Sequence, residues 1–310
     1  MNGRWANEWS FVDAPGEGCL RPGTCSGEPV LVTEDAGRLR VLSNVCTHRG
    51  ALLVTEPSDA RSIRCPYHGR RFDLAGRVLA APGFEPPPEE PLPELSSFAL
   101  GPMRFAAGAP EAPMDVMIAP ARPALEGLPF EALVHDRTSD AHYDVEAPWS
   151  LWAENYLEGL HIPFVHPRLA RRLALDAYEV TVHEHCAIQV GMATGDEPTL
   201  RLGDGREVAG YYLFVWPFTA LNLYPWGISL NAIQPLGEAR TRILYRAYEW
   251  ARELRDEGAG AGLDQVEAED DAIVERTALG NRARLYRPGR LSEPHERAVQ
   301  WFRDRQSRPA

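Results

Sequence analysis

The sequence predicts an α+β protein of two domains, a small all-β domain followed by a larger one built from antiparallel sheet and long helices. Three observations lead there. Short runs rich in Val and Leu, broken by Asp and Gly, fill the N-terminal third. Proline then dominates two stretches, at positions 82, 86, 87, 88, 91 and 93 and again at 110, 113, 120 and 123. Beyond them, strand-like segments are flanked by longer helical ones.

Residues 29–34 and 38–45 read as strands broken by Asp35-Ala36-Gly37, and 61–65 and 71–74 flank a second loop in the same way. The proline run over 82–94 can enter neither a helix nor a sheet interior, so it is expected to run extended over the surface. The second proline stretch sets the domain boundary, giving domains 1–115 and 116–310. In the larger domain 149–162 is expected to be helical, and 178–190, 207–216, 228–234 and 240–249 are expected to be antiparallel strands. The glycines at 258, 260 and 262 read as a flexible hinge before a helix from about Asp264 to residue 285. A last helix is expected to be capped by Ser292 with Pro294 in its first turn.

Composition places the chain among globular proteins, with 44% apolar and 25% charged residues. A formal charge of −12 argues against nonspecific nucleic-acid binding. No apolar run is long enough to span a bilayer, and Met1-Asn2-Gly3-Arg4-Trp5 lacks the hydrophobic region of a signal peptide, so a cytoplasmic protein is expected. Of five cysteines, Cys19, Cys25 and Cys186 are read as reduced thiols, since a reducing compartment argues against a Cys19–Cys25 bridge.

The other two cysteines carry chemistry. Cys46-Thr47-His48-Arg49-Gly50 and Cys65-Pro66-Tyr67-His68-Gly69 each supply one thiolate and one imidazole, with sixteen residues between His48 and Cys65. This split order suits a [2Fe–2S] cluster in which Cys46 and Cys65 hold one iron and His48 and His68 the other. Structural zinc also accepts two Cys and two His, but its spacings group like ligands together. The mixed loops favour the cluster.

A second constellation lies at Asn155-Tyr156-Leu157-Glu158-Gly159-Leu160-His161-Ile162-Pro163-Phe164-Val165-His166. Five residues apart, His161 and His166 would lie well off a common face of an unbroken helix. Pro163 is expected to disrupt the turn and let His166 swing back. Two imidazoles and a carboxylate would then form the facial triad of a non-haem Fe(II) site.

Together these motifs resemble the α subunit of Rieske non-haem iron oxygenases, over nearly the whole chain, and most closely the choline, betaine and carnitine branch. The resemblance implies a Rieske [2Fe–2S] domain followed by a helix-grip, START-like catalytic domain. It implies a third iron ligand on a late acidic helix. Asp270 fits best within Glu269-Asp270-Asp271-Ala272-Ile273-Val274-Glu275, Asp271 is the near alternative, and Glu275 is less favoured. Glu158 matches the acidic residue that joins a cluster histidine of one subunit to an iron histidine of the next, where the family more often has Asp. Asn155 matches a position near the iron. The implied partners are a small-molecule substrate, O₂, and a separate reductase or ferredoxin that supplies NAD(P)H-derived electrons. The implied assembly is a head-to-tail homotrimer. No flavin or nicotinamide fingerprint is present in the chain itself.

The implied activity is hydroxylation or oxidative demethylation of a small organic substrate. Ring cis-dihydroxylation is the alternative within the family. From other classes come a Rieske electron carrier without oxygen chemistry and a helix-grip binding protein with vestigial iron sites. Two further groupings were weighed from the residues alone. His183 and His185 would share one face of a strand but lack a third ligand, so packing is the expected role. Trp216, Tyr224 and Trp226 could form an aromatic box for a quaternary ammonium, although aromatics in strands more often pack.

Overall fold

The computed structural model describes residues 7–308, and the signal-peptide reading of Met1–Trp5 falls outside them. The chain divides into two compact units, one ending at Glu111 and the other beginning at Ala112.

In the first unit, β1 (Ser10–Asp13), β2 (Leu20–Cys25), β3 (Glu28–Asp35), β4 (Arg38–Ser43), β8 (Glu94–Leu100) and β9 (Met103–Ala107) close into an antiparallel barrel in that order. The turns explain the register. Ala36 and Gly37 both have positive φ, so a two-residue connection pairs Asp35 with Arg38, and Ser26-Gly27 does the same between β2 and β3. Such turns match the twist of the strands they join. A smaller sheet of β5 (Ile63–Arg64), β6 (Arg71–Phe72) and β7 (Val78–Ala80) sits beside the barrel within this unit. Leu31, Leu42, Ile63, Phe72 and Leu92 pack around Cys46 and Cys65, so both thiols belong to a hydrophobic core. The proline run forms no strand before Glu94, as its missing N–H groups require.

The second unit is organised by one eight-stranded antiparallel sheet. Its order is β10 (Val134–His135), β19 (Thr241–Glu249), β18 (Gly227–Pro235), β17 (Thr219–Tyr224), β16 (Gly210–Val215), β13 (Cys186–Gly191) and β12 (Glu179–Val182), with β11 (Ala141–Val145) also paired to β19. The central strands are buried on both faces. Side chains of alternate residues point to opposite faces, and the register aligns Gln189, Tyr212, Asn222 and Ser229 in one row across four strands. That row is unusual for a buried face because all four of its members carry an amide or a hydroxyl. The Trp149–Tyr156 helix lies over the sheet, where Trp149 meets Phe218 edge-on at 5.1 Å and Phe302 at 5.4 Å. Phe302 comes from the Arg297–Gln306 helix, and its burial helps fix that helix.

Several expected elements differ. The helix expected over 149–162 ends at Tyr156, and new short helices run Ile162–Val165 and Pro167–Ala170. The expected strand over 178–190 is a hairpin, with His183–His185 in its turn. His183 and His185 therefore share no strand face, and His185 Nδ1 accepts from Arg305 at 3.2 Å. The last helix begins at Arg297, because Glu296 turns its carboxylate onto the Ser292 N–H at 2.6 Å and uses residues 292–296 as a turn.

The supposed hinge at 258–262 is packed. Gly258, Ala259 and Gly260 are buried in a short 3₁₀ turn, and Gly260 O accepts from Trp226 Nε1 at 3.1 Å. A Cβ at Gly260 would collide with the Trp226 and Tyr224 rings. Glycine is required there for close approach, and Gly262 at φ +67° then starts the Leu263–Asn281 helix. Gly260→Ala should cost about 1–3 kcal/mol through overpacking. At about 2–4 °C per kcal/mol this lowers Tm by several degrees, which a calorimetric scan will show.

Candidate metal centres

The two Cys/His loops adopt the same turn. Gly50 N–H donates to Cys46 O at 3.0 Å and Gly69 N–H to Cys65 O at 3.2 Å, and both glycines have φ +72°. The thiols of Cys46 and Cys65 lie within hydrogen-bonding reach of each other. His48 and His68 stack edge-on at 4.7 Å. Burial opposes ionisation of Cys65, but backbone N–H groups of Tyr67 and His68 and the Cys46 thiol outweigh it, so its pKa is lowered. Buried sulfurs on one side, adjacent imidazoles on the other and amide donors to sulfur form the donor set a Cys₂His₂ cluster needs. By contrast, burial pushes Cys25 and Cys186 up to about 12, as expected of packed thiols.

In the second unit His161, His166 and Asp270 offer ligand atoms that all lie within 4.8 Å of one another. Asp270 Oδ1 is 3.0 Å from His166 Nε2 and 3.5 Å from His161 Nε2. Ligands at right angles around an ion with bonds of about 2.1 Å are separated by roughly 3 Å, so the three groups fit one small divalent cation. The other nitrogen of each ring is also held. His161 Nδ1 lies 2.5 Å from Glu158 Oε1, and His166 Nδ1 lies 2.8 Å from Glu269 Oε2. Carboxylates on Nδ1 present the Nε2 lone pairs to a metal and raise their basicity. Asn155 Nδ2 donates to Asp270 Oδ1 at 2.6 Å and so fixes the carboxylate.

Local chain geometry explains the convergence, and differently from the expectation. Pro163 does not break the turn. It is the second residue of the Ile162–Val165 helix, where no intrahelical donor is needed, and Val165 and His166 still donate to His161 O and Ile162 O. The break falls earlier, between Leu157 and His161, where Glu158 Oε2 accepts from the Leu160 and His161 N–H groups. His166 then leaves helical geometry at φ −117°.

Asp271 points elsewhere. Its carboxyl is buried toward Trp152, and burial together with Asp270 and Glu275 pushes it up to about 7. Glu275 accepts from the Glu146 N–H at 2.9 Å. Of the acidic candidates, Asp270 faces both histidines. Burial disfavours a charge on His166, yet Asp270 and Glu269 outweigh that and its pKa is raised.

A cavity of about 80 Å³ opens beside these residues, walled by Tyr156, Tyr178, Tyr212, Tyr224, Gln189 and Asn222 among others. Gln189 donates to Tyr156 O at 2.6 Å, and Asn222 bridges Tyr156 Oη at 2.7 Å and Ser229 Oγ at 2.9 Å. The aromatic box proposed from sequence is not assembled. Trp216 packs against Phe302 with Arg305 over its ring, and Trp226 already carries the Arg255 guanidinium 4.1 Å from its centroid. Tyr224 alone of the three lines the cavity.

Glu269, Glu267, Gln189 and Asn222 had no role in the sequence reading. Their signal was present: four acids within 267–271, and amides inside otherwise apolar strands.

Residues 10–99 match the Rieske [2Fe-2S] domain family, and residues 130–308 match the family described as ring hydroxylating alpha subunit (catalytic domain). The chain belongs to the Rieske non-haem iron oxygenases. Among its relatives, the carnitine monooxygenase oxygenase subunit of Escherichia coli (strain K12) is 29% identical, over 84% of this chain and 73% of that protein. A chloroplastic choline monooxygenase of Beta vulgaris is 26% identical over 90% of this chain, which spans about two thirds (66%) of that protein's length. The fold matches a solved quaternary ammonium Rieske monooxygenase at TM-score 0.77 and 22% identity, covering 96% of this chain and 88% of that one. It matches naphthalene 1,2-dioxygenase from Rhodococcus sp. at 0.69 and 17%, covering 97% and 89%. Among the described residues no helix is long and apolar enough to cross a membrane.

Replacing Glu269 by Ala should leave the [2Fe–2S] absorption intact and weaken Fe(II) binding roughly 10–100-fold, because His166 loses its orienting carboxylate. Titration of metal-depleted protein with Fe(II) measures this; unchanged affinity would show that His166 is oriented without it.

Proposed function

We propose that this chain is the oxygenase component of a system that hydroxylates or oxidatively demethylates a small organic substrate, with His161, His166 and Asp270 holding a mononuclear iron and Cys46, His48, Cys65 and His68 the cluster. The observation that carries the reading is the convergence of three ligand atoms within 4.8 Å while Glu158 and Glu269 occupy the opposite ring nitrogens. Iron bound by two imidazoles and one carboxylate keeps open positions and supplies redox chemistry toward O₂ beside the substrate.

The chain's own groups do the rest. Glu158 and Glu269 accept from Nδ1–H and so fix the tautomer and the direction of both rings, with Nε2 toward the metal position. Asn155 restrains Asp270 by donating to the same Oδ1 that faces both Nε2 atoms. The tyrosine-walled cavity, about 80 Å³, limits the substrate to a small molecule. In this reading electrons enter the cluster domain from a separate reductase or ferredoxin. Glu158 is the bridge through which a cluster histidine of a neighbouring subunit reaches His161, in a head-to-tail homotrimer. Both oxygens of Glu158 already accept from its own chain, Oε2 from two backbone N–H groups and Oε1 from His161 alone, so Oε1 retains a lone pair for one more donor. Relatives named for choline, carnitine and putrescine support small-substrate chemistry over ring dihydroxylation.

Iron analysis should find about three irons per chain, two in the cluster and one mononuclear. Asp270→Ala is expected to lose the single iron and substrate-dependent O₂ uptake while keeping the visible spectrum of the cluster. Full iron content and turnover in that variant would refute the triad. Glu158→Gln is expected to retain both metal sites yet slow electron delivery in a single turnover by about 10²-fold or more; an unchanged rate removes the bridge.

A further inference from the structure

Two residues lining the catalytic cavity carry a buried polar atom with no hydrogen-bond partner among the described residues, Tyr212 at its hydroxyl and Glu267 at one carboxyl oxygen, and only the second can bear a full charge at neutral pH. Glu267, on the Leu263–Asn281 helix one turn before Asp270, lines the cavity and is only 8% exposed. Its Oε1 accepts from Asn231 Nδ2 at 2.5 Å, whereas Oε2 is buried with no hydrogen-bond partner among the described residues. Of the neighbouring amides, Gln189 and Asn222 find partners on Tyr156, while Asn231 gives its Nδ2 to Glu267 and has no partner at Oδ1 among the described residues. A buried carboxylate oxygen without a donor is costly, so the missing partner is informative.

The surroundings narrow what that partner is. Among the described residues no Arg or Lys lines the cavity. Its other carboxylates are engaged, Glu158 on His161 and Asp270 on the two Nε2 atoms. Four tyrosines form its walls, with Tyr178, Tyr212 and Tyr224 rings at centroid spacings of 6.3 and 5.9 Å. Aromatic faces attract cations and a desolvated carboxylate attracts them more strongly, while an acceptor oxygen specifically asks for an N–H or O–H donor. A quaternary ammonium satisfies the tyrosine faces but has no hydrogen to give to Oε2.

We propose that Glu267 makes this cavity a site for a small protonated amine bearing at least one N–H, which the carboxylate pairs with directly while the tyrosine rings enclose its alkyl groups. The proposal rests on the oxygenase reading of the adjacent metal site and names its substrate class. Glu267 is then the residue that sets specificity, one helical turn from the iron ligand on the same helix, so the ammonium and the reacting carbon are held a few atoms apart.

The test is calorimetric titration of the iron-loaded protein under anaerobic conditions with three ligands of matched shape. These are 2-(dimethylamino)ethanol, which is protonated at neutral pH, its neutral isostere 3-methylbutan-1-ol, and choline, in which a third methyl replaces the N–H. The dimethylammonium compound is expected to bind about tenfold or more tighter than the neutral alcohol, and tighter than choline. Glu267→Gln should bring it down to the level of the alcohol while iron content and cluster absorption stay unchanged. Equal binding of amine and alcohol, tightest binding of choline, failure of all three to bind, or an undiminished preference in Glu267→Gln would each overturn the proposal. Should that variant fail to fold, the wild-type ranking decides alone. Loss of the mononuclear iron from the wild-type protein would instead defeat the oxygenase reading, so the two failures are distinguishable.

Discussion

The catalytic unit turns on one oxygen atom. Asp270 Oδ1 receives the Asn155 amide and faces the Nε2 atoms of His161 and His166, so it joins the Trp149–Tyr156 helix, the broken segment after it and the Leu263–Asn281 helix. Without a cation the arrangement is under electrostatic stress. Glu267 and Asp271 flank Asp270 closely enough that burial and its charge push their carboxyls up to about 8 and about 7, and His166 is drawn toward its protonated form. A divalent ion at the centre reverses the sign of the local field and relieves all three at once. The helix is thus acidic on its buried side for a reason that packing alone does not supply.

The sheet beneath makes the site specific. Its strands are apolar enough to be buried on both faces, yet Gln189, Tyr212, Asn222 and Ser229 stand in one cross-strand row that faces the helices. Tyr156 ties that row to the helix carrying Asn155, through its hydroxyl and its carbonyl. Buried polar networks of this kind are stable when their members find partners, and Gln189, Asn222 and Ser229 do. The Tyr212 hydroxyl, Asn231 Oδ1 and Glu267 Oε2 have none among the described residues, and of these Glu267 Oε2 is the carboxyl oxygen. In the N-terminal unit the same economy holds for the cluster loops, where the glycine four residues beyond each Cys closes the turn on the cysteine carbonyl.

The sequence by itself determined the chemistry. Spacing alone separated Cys46, His48, Cys65 and His68 from a zinc site, and the order of Asn155, Glu158, His161 and His166 marked the second constellation. The expected strands at 228–234 and 240–249 fall within a residue of Gly227–Pro235 and Thr241–Glu249, whereas 178–190 divides into a hairpin and Thr219–Tyr224 was not foreseen, because strands buried on both faces leave no alternating record. The breaks were read less well. Pro163 looked like the kink, but the chain bends before His161, where the Glu158 carboxylate caps free N–H groups. Glycines 258–262 looked like a hinge and prove to be a packed turn against Trp226.

Only the tertiary structure decided which acid faces the histidines, since Asp270 and Asp271 are neighbours whose side chains a helix points about 100° apart. It also assigned Glu269 to His166, separated Trp216 and Trp226 from the cavity, and left Glu267 with an open oxygen. Each of these depends on what a side chain meets across more than a hundred or several tens of residues of chain, and residue type and local spacing carry no record of that.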